Sequence, residues 1–408
     1  MVDGSQKSIL LLGGSRQQVV AIKTAKRLGY RTVLCDYLPD NPGQYFADVF
    51  YHESTTDRAK MLEIARREAV SGVLAYSSDP AAPTAAYVAE KLGLPTNPLA
   101  SVEILSEKHL FRKHLRECGL PCPKAVPVSA NATPLDLVHL SSTMSRPVVL
   151  KPTDSSGSKG ISVLPNPDVP SLESALDHAR QFSRNGTLML EEFISASFPR
   201  VVGGDVFIVD GKVEFWGIMS CLRDKELGGL VPIGERNPSG LSAAQLKRCK
   251  DVIQMLVDSL GLQFGELNVE IIIGKDGVPY FLELGARAGG NMIPVQLSDI
   301  SGIDLVEANV RFAMGDTSMS VAFEGNDKPV CSFVLHASRD GRFCGVRYDE
   351  SIEPYVYREV MYVEQGDAVS VFDGANKALG IVFLRFDDAS QMEDALDRIG
   401  ELIVPLVC

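Results

Sequence analysis

The fold is decided by the strands Glu266-Leu-Asn-Val-Glu-Ile-Ile-Ile273 and Pro279-Tyr-Phe-Leu-Glu-Leu-Gly-Ala-Arg287, which a turn at Asp276-Gly277 joins. An Asp-Gly pair between two alternating runs is typical of a two-residue hairpin turn. With that turn, residues whose numbers sum to 553 lie opposite each other, so Glu270 faces Glu283. Side chains alternate between the faces of a strand, so the pairs Asn268–Gly285 and Glu266–Arg287 share that face. The other face is apolar and is expected in the core, with Leu267, Val269, Ile271, Leu282 and Leu284.

The facing carboxylates of Glu270 and Glu283 need a compensating charge, because like charges directly opposite destabilise a sheet. A solvated sheet face would tolerate them. A shared divalent cation explains them better, since Mg²⁺ (or Mn²⁺) takes oxygen ligands, usually one or two carboxylates together with substrate phosphates. We therefore predict Glu270 and Glu283 as metal ligands. A longer turn would shift the register by two residues and leave both on one face.

The segment Arg287-Ala-Gly-Gly-Asn291 follows the hairpin and opens a helix. Arginine offers bidentate hydrogen bonds to a carboxylate or phosphate, and glycines allow its close approach to the backbone. We predict Arg287, Gly289, Gly290 and Asn291 as substrate-binding residues.

A second strand–loop–strand unit carries a lysine and a loop of small polar residues. Lys151 ends the apolar strand Pro147–Lys151, and a lysine there usually has an anionic partner. The loop Ser155-Ser-Gly-Ser-Lys-Gly160 offers amides, hydroxyls and a cation, which suit a polyphosphate. It is not a Walker A loop, because GxxxxGK[ST] is absent and the strand Ile161–Leu164 follows. A plain surface loop is the alternative.

The basic helix Ser106–Cys118 ends at Gly119. Most of its cationic residues are expected on a solvated face; they are Lys108, His109, Arg112, Lys113, His114 and Arg116. Further on, the Gly- and Pro-rich segment Leu222–Leu241, with Arg223 and Arg236, is expected to be either a substrate wall or a solvated loop.

The N-terminal residues form a βαβ pattern. Strand Ile9–Leu12 runs into Gly13-Gly14, a helix follows, and strand Arg31–Asp36 ends in an acid. The sequence GGSRQQ lacks the third glycine of the dinucleotide fingerprint, which disfavours NAD binding. Residues 1–98 are therefore expected to be a small doubly wound α/β domain.

The net charge of −12 over 408 residues argues against nucleic-acid or anionic-membrane partners, which need a basic face. Residues 321–408 hold 16 acids and 8 bases, so most of the excess lies there. No apolar run is long enough for a signal segment or a membrane span. The eight cysteines are scattered without a CxxC pair, so we expect reduced, packed thiols, no zinc and a cytoplasmic location.

Over residues 1–320 the chain resembles the ATP-grasp superfamily of carboxylate–amine ligases. Ser106-Glu-Lys108…Gly119-Leu-Pro-Cys-Pro123 is similar to its "DK…G(I/V)P.P" segment, and Leu150-Lys-Pro152 with the following loop to its "KP…GSxG" segment. Leu190-Glu-Glu-Phe-Ile194 looks like the hinge that holds adenine. The resemblance implies catalytic roles for Arg287 and Lys151. It also implies ATP binding by Lys108, Lys151, Ser155, Ser156, Gly157, Ser158, Lys159, Gly160, Glu191, Glu192, Phe193 and Ile194.

The sequence departs from the family's pattern at two places. Gly285 stands where the family has a metal-binding asparagine in ExNxR, and Asn268 opposite is a candidate replacement. This pattern is closest to the bacilysin-type L-amino-acid ligases. The acid that contacts ribose is not at its usual place, and Asp205 is a candidate.

The resemblance implies an α/β fold of three modules around one ATP cleft. These are a Rossmann-like pre-ATP-grasp domain (1–98), an ATP-grasp domain (99–320) with a lid over about 121–192, and a small α+β C-terminal domain (321–408). It also implies ATP and Mg²⁺ as cofactors, small carboxylate and amine substrates, and homodimers, which are common among similar proteins.

The implied reaction forms an acyl phosphate from a carboxylate, most simply an amino acid, and transfers the acyl group to an amine. Three alternatives stay open: a carboxylase-like enzyme that activates bicarbonate, a nucleotide-binding module without turnover, and an NAD-dependent enzyme. Intact Glu270, Glu283 and Arg287 argue against the module, and GGSRQQ against the NAD enzyme.

Overall fold

The computed structural model describes residues 6–155, 159–196, 201–223, 231–372, 374 and 377–408. The predicted ATP-binding residues Ser156, Gly157 and Ser158 lie outside these ranges. Strands and helices are mixed along the described chain, as the predicted α/β class requires. Among the described residues, no helix combines the length and the apolar character that crossing a bilayer requires.

A parallel sheet in the order β3-β2-β1-β4 forms the N-terminal part. Its strands are β1 (Ser8–Leu12), β2 (Arg31–Asp36), β3 (Val49–His52) and β4 (Gly72–Leu74), and its helices are α1 (Val19–Arg27), α2 (Arg58–Arg67) and α3 (Ala82–Leu92). All of β1 is buried, because helices cover both faces of a parallel sheet. The predicted doubly wound arrangement is confirmed.

The turn after β1 is filled by the protein's own side chains. Gln18 donates a hydrogen bond to the Tyr76 carbonyl (2.8 Å) and lies where a Cβ on Gly13 would be. The Asp36 carboxylate accepts from the Gly14 amide at 2.7 Å. The Gln18 side chain and the Asp36 carboxylate therefore bind the protein's own backbone, as expected for a turn without the dinucleotide fingerprint.

The region predicted as the lid contains a four-stranded antiparallel sheet in the order β5-β8-β6-β7, and this sheet with its helices keeps the name lid below. Two helices, α4 (Leu99–Ser106) and α5 (Lys108–Glu117), lead into it. The lid itself comprises β5 (Ala125–Ser129), α6 (Pro134–Ser141), β6 (Val148–Pro152), β7 (Ser162–Leu164), α7 (Val169–Arg180) and β8 (Thr187–Glu192). Helices α6 and α7 pack on one face of this sheet around Leu137, Leu172 and Leu176, which leaves the other face for the cleft.

The largest sheet has eight antiparallel strands in the order β13-β12-β9-β10-β11-β14-β18-β16. Its strands are β9 (Val202–Val209), β10 (Lys212–Arg223), β11 (Pro232–Asn237), β12 (Gly265–Ile273), β13 (Pro279–Gly285), β14 (Val330–Leu335), β16 (Val356–Met361) and β18 (Gly380–Arg385). Its helices are α8 (Ala243–Leu260), α9 (Ile293–Ser301) and α10 (Leu305–Ala313). Strands β14, β16 and β18 of the predicted C-terminal module continue the sheet that carries the hairpin.

The remaining C-terminal strands form a small sheet in the order β17-β15-β19. They are β15 (Gly341–Tyr348), β17 (Ala368–Val369) and β19 (Ile403–Val407), and the helices α11 (Ala389–Leu396) and α12 (Ile399–Leu402) precede β19. Cys344 and Cys408 form a disulfide here. The prediction that all eight cysteines are reduced was therefore wrong for this pair, because pairing of β15 with β19 brings together residues 64 positions apart.

Thiol titration of the unfolded, non-reduced protein is expected to find six free cysteines, which are Cys35, Cys118, Cys122, Cys221, Cys249 and Cys331. After reduction the count is expected to rise to eight. Eight thiols without reductant would contradict the Cys344–Cys408 disulfide. The Cys344→Ser variant is the control, since it leaves Cys408 without its partner and is expected to show seven.

Candidate active site

At its two acids, the hairpin of β12 and β13 has the predicted register. Glu270 pairs with Glu283, and Asn268 pairs with Gly285. Beyond Glu270 the register shifts by one residue, so Ile271 pairs with Phe281. The shift places Phe281 in the core and turns Leu282 towards a cleft, so the prediction of Leu282 as a core residue was wrong.

A cleft lies between the lid sheet and this hairpin. One part of its wall is apolar and is formed by Val149, Ile161, Val163, Phe193, Ile194, Val201, Ile272, Tyr280 and Leu282. Another part is charged and is formed by Lys108, Arg112, Lys151, Glu191, Arg223, Glu270 and Glu283. An apolar slot beside a charged end suits a ligand with a flat ring and an anionic tail.

Each of the two facing acids has a cationic partner. The Lys108 ammonium lies 3.4 Å from Glu283 Oε1, and Arg223 Nη2 donates to Glu270 Oε2 at 2.9 Å. The carboxylates stay partly accessible from the cleft, with 29% and 27% of their side chains exposed. The two cations relieve the repulsion that a facing acid pair would otherwise produce.

Three residues of the charged wall form a buried ion triad. Lys151 donates to Glu191 Oε1, and Arg112 Nε donates to Glu191 Oε2 at 3.1 Å. Arg112 also donates to the Leu282 carbonyl at 3.0 Å. Burial opposes ionisation of Glu191, but the two cations outweigh it and lower its pKa to about 2.

Arg112 departs from the expectation that most cationic residues of the basic helix lie on a solvated face. Arg112 is only 1% exposed, so it does not belong to a solvated face. Its Nη1 is buried without a hydrogen-bond partner among the residues that the structure describes. Its partner Glu191 is 79 residues away on β8, so the spacing within the helix contained no sign of the contact.

The rest of the predicted ATP-binding segment surrounds the same cleft. The Ser155 carbonyl accepts from Lys108 at 2.5 Å, and the Ser155 hydroxyl donates to the Lys159 carbonyl at 2.9 Å, one residue before Gly160. The Phe193 amide donates to the Pro147 carbonyl, which ties the predicted hinge to the lid. Glu192, Phe193 and Ile194 all line the cleft.

Arg287 is held by an acid that the sequence analysis missed. Its Nε and Nη2 each donate to an Asp79 carboxylate oxygen at 2.7 Å. Asp79 follows β4 in the N-terminal part, 208 residues away. The only sequence signal was its position after the end of a parallel strand, where ligand-binding residues collect.

The loop after Arg287 also rests on the N-terminal part. Ser77 donates to the Gly289 carbonyl at 2.7 Å, and the Asn291 amide donates to Gln17 Oε1 at 3.0 Å. A Cβ on Gly289 would lie 2.7 Å from Asp205 Oδ1, so this position requires glycine. The predicted substrate residues Gly289, Gly290 and Asn291 thus lie at the junction of the two parts.

Asp205 does not reach the cleft. It is buried, and its carboxylate accepts from Asn268 Nδ2 at 2.9 Å and from the Gly289 amide at 2.8 Å. A contact of Asp205 with ribose is therefore wrong. Asn268 is likewise bound to Asp205, beside the acid pair rather than between its members.

The segment from Leu222 to Leu241 was expected as a substrate wall or a solvated loop, but much of it is sheet. Arg223 ends β10, and Arg236 lies in β11 with an ion pair to Glu393. Residues 224–230 lie outside the described chain.

A divalent cation fits the acid pair. Among the described residues no group of three or more His, Cys, Asp or Glu side chains could hold a metal. Glu270 and Glu283 are a facing pair of oxygen donors open to the cleft, the donor set that Mg²⁺ uses together with phosphates.

An antiparallel lid over a sheet with paired acids, next to a Rossmann-like domain, defines the ATP-grasp class of ATP-dependent ligases. Residues 107–320 match the family model of the carbamoyl-phosphate synthase L chain, ATP binding domain. The chain therefore belongs to that family.

Known proteins similar to this chain have several activities. The carbamoyl phosphate synthase large chain of Thermotoga petrophila is 24% identical over 293 residues, which are 70% of this chain and 25% of that protein. The chain thus spans about a quarter of that relative's length. Solved structures cover nearly the whole chain. The L-amino acid ligase of Bacillus licheniformis has a TM-score of 0.80 at 20% identity, covering 99% of both chains.

A carboxylase is also among the similar structures. The biotin carboxylase domain of the Hydrogenobacter thermophilus 2-oxoglutarate carboxylase, solved with MgADP, ADP and bicarbonate, has a TM-score of 0.76 at 16% identity. It covers 99% of this chain and 91% of that chain. These identities establish a shared fold, and the fold confirms the ATP-grasp architecture that the motifs predicted.

Proposed function

We propose that this protein is an ATP-dependent ligase that converts a carboxylate, most simply that of an amino acid, to an acyl phosphate and joins it to an amine. The observation that carries the proposal is the Glu270–Glu283 pair at the charged end of the cleft, flanked by Lys108 and Arg223. In the proposed reaction a carboxylate oxygen attacks the γ-phosphorus and ADP leaves. The amine nitrogen then attacks the acyl carbon, phosphate leaves and the nitrogen loses a proton.

The charged wall supports binding of a polyphosphate. The cationic side chains of Lys108, Arg112, Lys151 and Arg223 line the cleft together with four acids, Glu191, Glu192, Glu270 and Glu283, so bound phosphates would meet cations at the charged end. Phosphoryl transfer depends mainly on positioning and on neutralising charge, which these side chains supply. The apolar wall provides a surface for adenine, and the lid loop up to Gly160 would exclude water from the acyl phosphate.

We propose Glu270 and Glu283 as the residues that would hold Mg²⁺ or Mn²⁺. When bound, such an ion neutralises phosphate charge and orients the triphosphate. Arg287 is proposed to bind the substrate carboxylate or its phosphorylated form, with Gly289, Gly290 and Asn291 beside it. The cytoplasmic location stays a prediction, and its argument from reduced cysteines does not hold for Cys344 and Cys408.

The test is phosphate release from ATP and Mg²⁺ with a panel of amino acids and small carboxylates, singly and in pairs. Release that requires an amino acid, and is greatest with an amino acid and an amine together, supports the ligase. Release with bicarbonate alone would support the carboxylase alternative instead. No release with any carboxylate, despite ATP binding, would overturn the proposal in favour of a binding module.

Asp79→Asn is expected to lower kcat about tenfold and to leave the KM for ATP unchanged, because a neutral amide holds the Arg287 guanidinium less firmly than a carboxylate does. Steady-state kinetics with ATP and the carboxylate varied separately measure this. The control is Asp136→Asn, a change at an exposed helix cap in the lid. An unchanged kcat would contradict a positioning role for Asp79.

A further inference from the structure

The Cys344–Cys408 disulfide lies where a reagent in solution can reach it. Cys408 is exposed, Cys344 is half-buried, and β19 is an edge strand of the small sheet. The register of β15 against β19 shifts around Cys344, so this cysteine is the extra residue of a β-bulge. The S–S bond therefore joins an edge strand to an irregular point of its neighbour, and it is open to attack from outside.

The free thiols of the chain are poor competitors for this bond. Burial raises the pKa of the thiol at five of the six free cysteines, to about 12 at Cys35, Cys249 and Cys331. The thiolate is the attacking species in thiol–disulfide exchange, so these buried thiols are nearly inert at neutral pH. Cys118 is exposed and follows helix α5, in another part of the chain. The disulfide is therefore expected to exchange with an external thiol.

The disulfide closes a long segment of the chain, residues 344–408, which we call the disulfide-closed segment. It includes strands β16 and β18 of the large sheet and the helices α11 and α12. At its end, Leu402 and Ile403 are buried in the core of this region, whereas Leu406 in β19 is 41% exposed. The beginning of β19 is thus anchored by apolar packing and its far end by the disulfide.

Without the disulfide, the far end of β19 would be held by little else. The Cys408 amide donates to the Arg342 carbonyl at 2.9 Å, and the Arg342 amide donates to the Cys408 carbonyl at 3.0 Å. Hydrogen bonds at an exposed strand end open readily, since water replaces them at little cost. A disulfide also restricts the unfolded chain, and this effect grows with the length of the loop that it closes. Reduction would therefore loosen β19 and lower the stability of the disulfide-closed segment.

We propose that the Cys344–Cys408 disulfide is a reversible redox switch, which a dithiol reductant opens and which controls the stability of the disulfide-closed segment. One thiolate of the dithiol attacks the exposed Cys408 sulfur, the S–S bond breaks, and Cys344 leaves as a thiolate. The second thiolate of the reductant attacks its own sulfur in the mixed disulfide, and Cys408 leaves. The two protons that the dithiol loses are taken up by the two cysteines, and the dithiol becomes a disulfide.

The test is the melting temperature and limited trypsin digestion of the full chain in buffers of varied ratio of reduced to oxidised dithiothreitol. Reduction is expected to lower the melting temperature by about 5 °C. Cleavage within residues 344–408 is expected to become at least tenfold faster, and reoxidation is expected to reverse both changes. Thiol titration of each sample reports the state of the bond. A reduced protein with the melting temperature and cleavage rate of the oxidised protein would overturn the proposal, as would a disulfide that excess dithiothreitol leaves intact in folded protein.

Two variants locate the switch. Cys344→Ser and Cys408→Ser are each expected to have the melting temperature of the reduced protein in every buffer. Cys408 is at the exposed end of β19, so its variant supplies the test if Cys344→Ser does not fold. The control is Cys118→Ser, which removes an exposed thiol outside the pair and is expected to keep the full redox response. A redox response that persists in Cys408→Ser would place the sensitive bond elsewhere and contradict the assignment. Neither cysteine lines the ATP cleft, so the outcome is independent of the ligase proposal.

Discussion

Replacing Glu283 by glutamine is expected to lower kcat for phosphate release by on the order of 1000-fold, because metal-assisted charge stabilisation contributes several kcal/mol to phosphoryl transfer. Glutamine has nearly the same shape as glutamate and can still accept from Lys108, so the hairpin is expected to stay folded. The facing Glu270 would retain its Arg223 partner. The measurement is substrate-dependent phosphate release at saturating ATP and Mg²⁺.

The control for this change is Glu173→Gln, which alters an exposed acid in lid helix α7. It is expected to leave kcat unchanged. Circular dichroism and the melting temperature establish that the Glu283→Gln chain is folded. Turnover at the wild-type rate in a folded Glu283→Gln protein would show that the metal assignment is wrong.

Replacing Lys151 by methionine is expected to destabilise the protein by about 3 kcal/mol and to raise the KM for ATP. Methionine occupies a similar volume, but the buried Glu191 loses one of its two cationic partners, and breaking a buried ion pair costs about 3–5 kcal/mol. Arg112 remains beside Glu191 and offsets part of that loss. The measurements are urea unfolding and ATP titration in parallel.

Lys113→Met is the matched control. Lys113 is in the same basic region but is 66% exposed, and its pair with Glu117 is a surface pair of the kind that contributes 0–1 kcal/mol. It is expected to change neither stability nor the KM for ATP appreciably. If the Lys151→Met protein proved as stable as the Lys113→Met protein, the ion pair between Lys151 and Glu191 would not contribute to stability as expected.

The facing acids were predictable because a short turn joins β12 to β13 and limits how far the register can move. The predicted two-residue turn was wrong, since Ile273 pairs with Pro279 and the Gly274 amide donates to the Val278 carbonyl. The register shift next to Glu270 then restores its pairing with Glu283. The register shift after Glu270 was not predictable from the turn. It displaced Leu282 from the core to the cleft wall, where its carbonyl accepts from Arg112.

Contacts between distant segments were not predictable in the same way. Arg112 and Glu191 are 79 residues apart, and Arg287 and Asp79 are 208 apart. No periodicity or turn chemistry connects such positions, because their encounter depends on how complete sheets pack. For the same reason a helix that looked solvated contains one of the most buried side chains of the described chain.

Local sequence patterns were enough to recognise the class of this protein, because the hairpin with facing acids, the loop after Lys151 and the βαβ start each resemble ATP-grasp motifs within a short stretch of chain. Which charged side chains pair with each other could be seen only in the folded structure. It placed Lys151 and Arg112 beside one buried carboxylate, paired Arg287 with Asp79, and joined Cys344 to Cys408. The physical reason is that the partner of a buried charge is set by packing between distant elements, which local sequence patterns do not specify.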